Sequence, residues 1–235
     1  MDHSVQVHLV GPGEKRKAPI AAYLIRGNGL TVLVDTGPSD EKQACAYHHP
    51  VVRTPEMELK AALAAQGVTP KDVSFVILTH LHWDHCYDLG LFPNKKIYVQ
   101  RKEVEYAIAP YPCHYVAYEA MQLGLESAWI PYRGQFELVE GDKNLADGLG
   151  LVFLPGHSPG FQGVRVQTSD GPYLIAGDLV HCYENWEGHG LAKHVPAGTL
   201  MDLASYYASF EKIEGAFTKI LPGHDPRIFE KALYP

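Results

Sequence analysis

Cysteine is scarce in this 235-residue chain: Cys45, Cys86, Cys113 and Cys182 are scattered, without a C-x-x-C spacing. That pattern offers neither a disulfide framework nor a cysteine metal knuckle, so free thiols are expected. Long apolar runs are absent too. Nothing approaches the roughly 18 residues needed to cross a bilayer, and the first eleven residues carry no apolar segment behind a basic one. The expectation is a cytoplasmic protein with no membrane partner. Positive charge is in short supply: 20 Lys+Arg stand against 27 Asp+Glu, a net charge of -7. A polyphosphate partner would be repelled, so no nucleic acid is expected. No repeat, low-complexity tract or linker divides the sequence. Since single cores reach about 250 residues, one domain over 1–235 is expected.

What the chain does contain is a packable, turn-rich composition, 46% hydrophobic with 22 Gly and 17 Pro. Runs at 5–10, 21–26 and 30–35 have β character, and Gly27-Asn28-Gly29 between the last two is a hairpin signal, so an antiparallel meander is expected to open the fold. Residues 55–66 carry Met57, Leu59, Leu63 and Ala64 at helical spacing, with Gly67 at the place of a C-cap. The apolar run 73–78 suits a strand buried on both faces. A strand at 97–100 and a helix at 101–109 follow, then an irregular aromatic stretch at 110–133, read as a lid or pocket wall together with His48-His49-Pro50. Further strands are expected at 135–140, 151–154, 164–168, 173–176 and 219–221. Thr199 is placed as the cap of a helix with Leu200, Leu203, Ala204, Tyr207 and Phe210 on its apolar face. This order implies an α+β fold, two sheets face to face with helices outside.

The 13 histidines bunch. In His80-x-His82-x-Asp84-His85, directly after the 73–78 run, three imidazoles and a carboxylate fall within six residues, a density of zinc-type ligands that packing does not require. Residues two apart after a strand can aim the same way, so His80 and His82 can share one ion while Asp84 and His85 turn toward a second. Each ion needs about four or five ligands, so the turn cannot complete two sites alone. Three polar residues close later strands and can supply the remainder: His157 in Pro155-Gly156-His157-Ser158-Pro159-Gly160, Asp178 in Ala176-Gly177-Asp178, and His224 in Pro222-Gly223-His224-Asp225. Asp35 reads either as an acceptor that orients a ligand histidine or as a turn former. Cys86 reads as a buried spectator thiol.

This order of ligands resembles the metallo-β-lactamase fold superfamily, from Val34-Asp35-Thr36-Gly37 through the Gly156-His157 turn to Gly223-His224-Asp225. The resemblance implies an αββα four-layer sandwich of two mixed sheets flanked by helices, with the metals at one sheet edge. Within the superfamily the chain is most similar to the N-acyl homoserine lactone lactonases, through Tyr183-Glu184-Asn185-Trp186-Glu187 after Asp178, then Val195-Pro196 and Ser209-x-x-Lys212. That likeness implies that His80, His82 and His157 hold one zinc, that Asp84, His85 and His224 hold the other, and that Asp178 bridges them. Where those lactonases place a tyrosine three residues after the bridging aspartate, this sequence has His181. His181 is therefore the expected donor to the substrate carbonyl, with Tyr183 nearby as a second substrate-binding residue.

The expected chemistry is the opening of a small lactone by a metal-bridging hydroxide, with Asp84 passing a proton to the leaving alkoxide. Two Zn2+ are the expected cofactors, with Fe, Mn or Co as other divalent occupants, and a homodimer is implied by the resemblance. The alternatives are a hydrolase of another ester, cyclic amide or phosphotriester on the same site, or an iron-dependent oxygenase. A non-catalytic binding protein would have no need of seven intact ligands. Glutathione-thioester hydrolases of this fold carry a helical domain after the last histidine, and diiron oxygen reductases have a Glu where His82 stands.

Overall fold

Asn28 and Gly29 have φ of 51° and 74° in the computed structural model, which describes residues 17–235. A primed two-residue turn needs positive φ at both central positions, and these two residue types tolerate it best. The turn joins β1 (Tyr23–Gly27) to β2 (Leu30–Val34) in antiparallel register, Tyr23 opposite Val34. Among the described residues the expected meander is represented by this hairpin, and the run at 5–10 lies outside them. β3 (Phe75–Ile77), β4 (Ile97–Gln100) and β5 (Phe136–Val139) add in parallel, giving the order β1-β2-β3-β4-β5. The chain between them is long enough for crossovers, which parallel pairing requires.

The helix expected at 55–66 is split. A 3-10 turn at Pro55–Met57 is followed by α2 (Leu59–Ala65), the second helix after α1 (Glu41–Tyr47), which begins at the Asp40 side chain accepting from the Gln43 N–H at 3.0 Å. Leu59 and Leu63 are buried, but Met57 and Ala64 are exposed. Leu59 and Leu63 pack with Leu33, Val76, Leu78, Ile97 and Val99 into the core of a compact unit, Ile20–Val139. α3 (Arg101–Ile108) follows β4 as expected. The aromatic stretch does two things: Tyr118 and Trp129 are core residues, whereas Tyr111 is exposed.

The second unit, Met1–Pro19 with Glu140–Pro235, is described from residue 17 onward. Its sheet is an antiparallel run of β6 (Lys143–Ala146), β7 (Leu149–Phe153), β8 (Gln162–Thr168) and β9 (Gly171–Gly177), with β10 (Lys219–Pro222) parallel to β9. β6 is polar and lies at the sheet edge, so no apolar alternation announces it in the sequence. α4 (Tyr183–Glu187) follows β9, and α5 (Leu203–Ile213) precedes β10. The cap of α5 is Asp202, not Thr199; its carboxylate accepts from the Ser205 N–H at 2.6 Å. The buried face of α5 is Tyr206, Ser209, Phe210 and Ile213, while Leu203 and Tyr207, expected inside, are exposed. The inward face packs on Val152, Leu154, Phe161, Leu174 and Ala176.

Both sheets are mixed and both carry helices, as expected of the α+β class. Among the described residues no helix is long and apolar enough to cross a membrane.

Candidate metal centre

Asp35 closes β2 in the left-handed region, at φ 61°, a conformation an aspartate tolerates better than most residues. Its Oδ1 accepts from the Thr79 N–H at 2.7 Å and its Oδ2 from the Thr79 hydroxyl at 2.8 Å. The same Oδ2 lies 2.8 Å from His85 Nδ1. A threonine hydroxyl has one hydrogen, and here it goes to Asp35, so at the 3.0 Å contact between Thr79 Oγ1 and His80 Nδ1 the imidazole is the donor. One buried carboxylate thus fixes a hydrogen of each of two histidines on Nδ1, directly at His85 and through Thr79 at His80, so that Nε2 is the atom each ring can offer to an ion. Asp35 is therefore an orienting acceptor as well as a turn residue.

The turn after β3 brings its own donors together. The His80 ring centroid is 4.4 Å from that of His82 and 4.2 Å from that of His85, and Asp84 Oδ2 is 3.7 Å from His85 Nε2. All four residues are buried. The turn is held from behind. Glu103, itself buried, accepts from the Leu81 N–H and from the Tyr118 hydroxyl, whose ring packs edge-on against His82. His48 stacks flat on Trp83 with centroids 4.1 Å apart and lies 2.9 Å from Glu119. Burial pushes the Cys86 thiol well above its ordinary value, and Cys86 Sγ donates to the His82 carbonyl, as a spectator would.

In the other unit the donors arrive singly, each after a strand. His157 follows β7, and its Nδ1 donates to the Thr199 carbonyl at 2.8 Å; His224 follows β10, and its Nδ1 donates to the Pro19 carbonyl at 2.8 Å. A carbonyl only accepts, so both rings carry a hydrogen on Nδ1 and turn Nε2 to the opposite side. Asp178, buried after β9, receives them: His157 Nε2 is 3.4 Å from Oδ2, and His224 Nε2 is 3.1 Å from Oδ1. Two imidazole Nε2 atoms converge on one buried carboxylate, His224 Nε2 lying 3.2 Å from Oδ2 as well, and nitrogen donors gathered around a carboxylate are the set a zinc-type ion takes. These residues therefore fit a divalent ion.

Two glycines and a set of side-chain bonds from α5 make this arrangement possible. A Cβ on Gly223 would collide with Asp178 Oδ1, and one on Gly156, at φ 142°, would collide with the backbone of Tyr206 in α5. α5 is pinned beside the His157 turn by Ser209 Oγ donating to the Pro155 carbonyl at 2.6 Å and by Lys212 Nζ donating to the Phe153 carbonyl at 2.8 Å. The Tyr206 hydroxyl lies within 2.9 Å of the Asp178 and Leu179 carbonyls.

His181 joins this group, its Nε2 3.1 Å from Asp178 Oδ2. Tyr183 does not share that place. Its ring lies under the Arg227 guanidinium, 4.3 Å from the centroid, in a cleft also lined by Tyr173 and Tyr234, and burial pushes its hydroxyl up to about 12. The orienting groups Thr79, Thr199 and Pro19 were not read from the sequence. Thr79 was available as the neighbour of His80, but a main-chain carbonyl is supplied by every residue type and leaves no mark.

Comparisons with known proteins agree with this geometry. The family model described as the Metallo-beta-lactamase superfamily matches residues 17–224. An N-acyl homoserine lactonase from Bacillus sp is 30% identical, with 96% of this chain and 88% of that one covered. The crystal structure of a quorum-quenching N-acyl homoserine lactone lactonase is 28% identical with a TM-score of 0.77, covering 100% of this chain and 90% of the other. An N-acyl homoserine lactone hydrolase with the product N-hexanoyl-L-homoserine bound at its catalytic metal center is 26% identical, also with a TM-score of 0.77, over 98% and 90% of the two chains. By the reach of the family match and by these likenesses, the chain belongs to the metallo-β-lactamase superfamily, in the branch that holds the N-acyl homoserine lactonases.

Proposed function

We propose that this metal-dependent hydrolase opens the ester ring of a small lactone of the N-acyl homoserine lactone kind, acting as one domain over 1–235. In this reading His80, His82 and His157 hold one divalent ion, Asp84, His85 and His224 hold a second, and Asp178 bridges the two. Zinc is the expected ion, since nitrogen-rich sites with carboxylates suit it. The observation that carries the reading is Asp178, a buried carboxylate with imidazole Nε2 atoms set against both of its oxygens. The likeness to lactonases supports the choice of substrate.

Bound there, divalent ions polarise an ester carbonyl and lower the pKa of a water toward about 7, so that attack proceeds at neutral pH. The protein supplies the remainder. Asp35 and Thr79 keep the His80 and His85 hydrogens on Nδ1, and the Thr199 and Pro19 carbonyls do the same for His157 and His224. A carboxylate oxygen of Asp84 takes the proton of the attacking water and passes it to the ring oxygen as the acyl–oxygen bond breaks, leaving a hydroxy acid.

The test joins metal analysis to a substrate panel. The expected result is about two zinc per purified chain and acid release that is faster from N-acyl homoserine lactones than from open-chain esters, aryl esters or phosphotriesters. Iron as the tightly held metal, or a phosphotriester hydrolysed faster than every lactone, overturns the reading.

A further inference from the structure

Asp178 has a third imidazole beside it. The Asp178 turn is short and pinned: the Leu179 N–H bonds the Ala176 carbonyl and the Val180 N–H bonds the Gly177 carbonyl, while both Leu179 and Val180 are buried as anchors. Three residues after Asp178 the chain therefore returns to the same side, and His181 Nε2 stands 3.1 Å from Asp178 Oδ2. The His224 N–H bonds the His181 carbonyl at 2.8 Å, which fixes the backbone on which the ring is mounted.

The His181 side chain is only 6% exposed, yet neither of its ring nitrogens has a hydrogen-bond partner among the described residues. A buried imidazole without partners loses its bonds to water and gains none in return, an arrangement that native structures avoid. A hydrogen bond from Nε2 to Asp178 would remove that cost, but the contact does not have hydrogen-bond geometry. The distances match another arrangement. Donors held at about 2.0–2.1 Å from one tetrahedral zinc stand about 3.4 Å from each other. His157, His181 and His224 place their Nε2 atoms 3.4, 3.1 and 3.2 Å from the same oxygen of Asp178, and it is His157, Asp178 and His181 whose donor atoms all lie within 4.8 Å of one another as one candidate ligand group.

We infer that His181 is a metal ligand, an additional imidazole on the ion held by His157 and Asp178 Oδ2, rather than a hydrogen-bond donor to substrate. This rests on the dinuclear reading above. It means that a nitrogen ligand stands at the position where the related lactonases, by resemblance, carry a tyrosine, and that the ion on the His157 side is held more tightly and is less open to a substrate oxygen.

The experiment measures metal affinity by chelator competition, and the visible spectrum of the Co2+-loaded protein, for the wild-type chain, H181A and H181Q, with far-UV circular dichroism to confirm folding. Expected is an affinity at one of the two sites that falls by at least the roughly 10–100-fold seen when groups supporting a metal ligand are lost, with a changed Co2+ band in both variants. Added imidazole should recover part of the H181A loss. Wild-type affinity and an unchanged Co2+ spectrum in either folded variant, with only turnover reduced, overturn the inference and leave the dinuclear reading intact. A wild-type chain that takes up no divalent metal overturns both.

Discussion

The two units solve one problem, holding imidazoles with Nε2 outward, in opposite ways. In Ile20–Val139 the donors come from a single six-residue turn, and two of them are oriented by one carboxylate, Asp35, directly at His85 and through Thr79 at His80. In the other unit His157, Asp178 and His224 are separated by 21 and 46 residues, and His157 and His224 are each oriented by a main-chain carbonyl of their own. Side-chain orientation is concentrated and vulnerable, whereas carbonyl orientation is dispersed and depends on the path of the chain.

That contrast predicts unequal damage. The largest effect should follow Gly223→Ala, because the new methyl occupies the space of Asp178 Oδ1 and displaces the carboxylate. Metal content and lactone turnover should fall by more than the roughly 10–100-fold typical of groups that merely support ligands, and retention of two ions would refute the crowding argument. Asp35→Asn comes next. Asparagine keeps the left-handed backbone and the shape but removes the charge shared by Thr79 and His85, so metal affinity should drop about 10–100-fold. Isothermal titration would read it, and an unchanged affinity would mean that Asp35 serves the turn alone.

A smaller effect should follow Lys212→Met, which frees the end of α5 from Asp142 and from the Phe153 carbonyl. Burial acts to raise the Asp142 carboxyl, but the Lys212 ammonium and the Phe153 N–H outweigh it and hold it below its ordinary 3.8. A depressed carboxyl contributes stability that is fully present above its unfolded value and is lost as the pH falls through the folded one. The variant should therefore melt slightly below wild type at pH 7, by about 0–1 kcal/mol for so exposed a pair, and the gap should narrow below pH 3.8 to what the Phe153 carbonyl bond contributes. A gap that does not narrow in acid points to packing instead. The smallest effect belongs to Thr199→Ala, which leaves the carbonyl on His157 in place; metal affinity should change by less than about 2-fold, far under the loss expected at Asp35.

The same contrast explains what could be read in advance. The turn at His80, the strand-end residues His157, Asp178 and His224, the hairpin at Asn28-Gly29 and the β3, β4 and α3 segments are all written in local spacing. The start of α5 was misplaced because Thr199 and Asp202 are both good caps, and the choice between them is made by which face meets Val152 and Phe161, a tertiary matter. β6 was missed because an exposed edge strand need not alternate. The place of the His181 ring could be guessed only as far as its offset from Asp178. That both of its nitrogens go unpartnered is a property of the folded turn.

Because a threonine hydroxyl and two peptide oxygens already hold the hydrogens of His80, His157 and His224 at Nδ1, as Asp35 does for His85, none of these rings has to exchange one tautomer for the other before it receives an ion. The cost that is left to ion uptake is the stripping of water from the ion and from these donors.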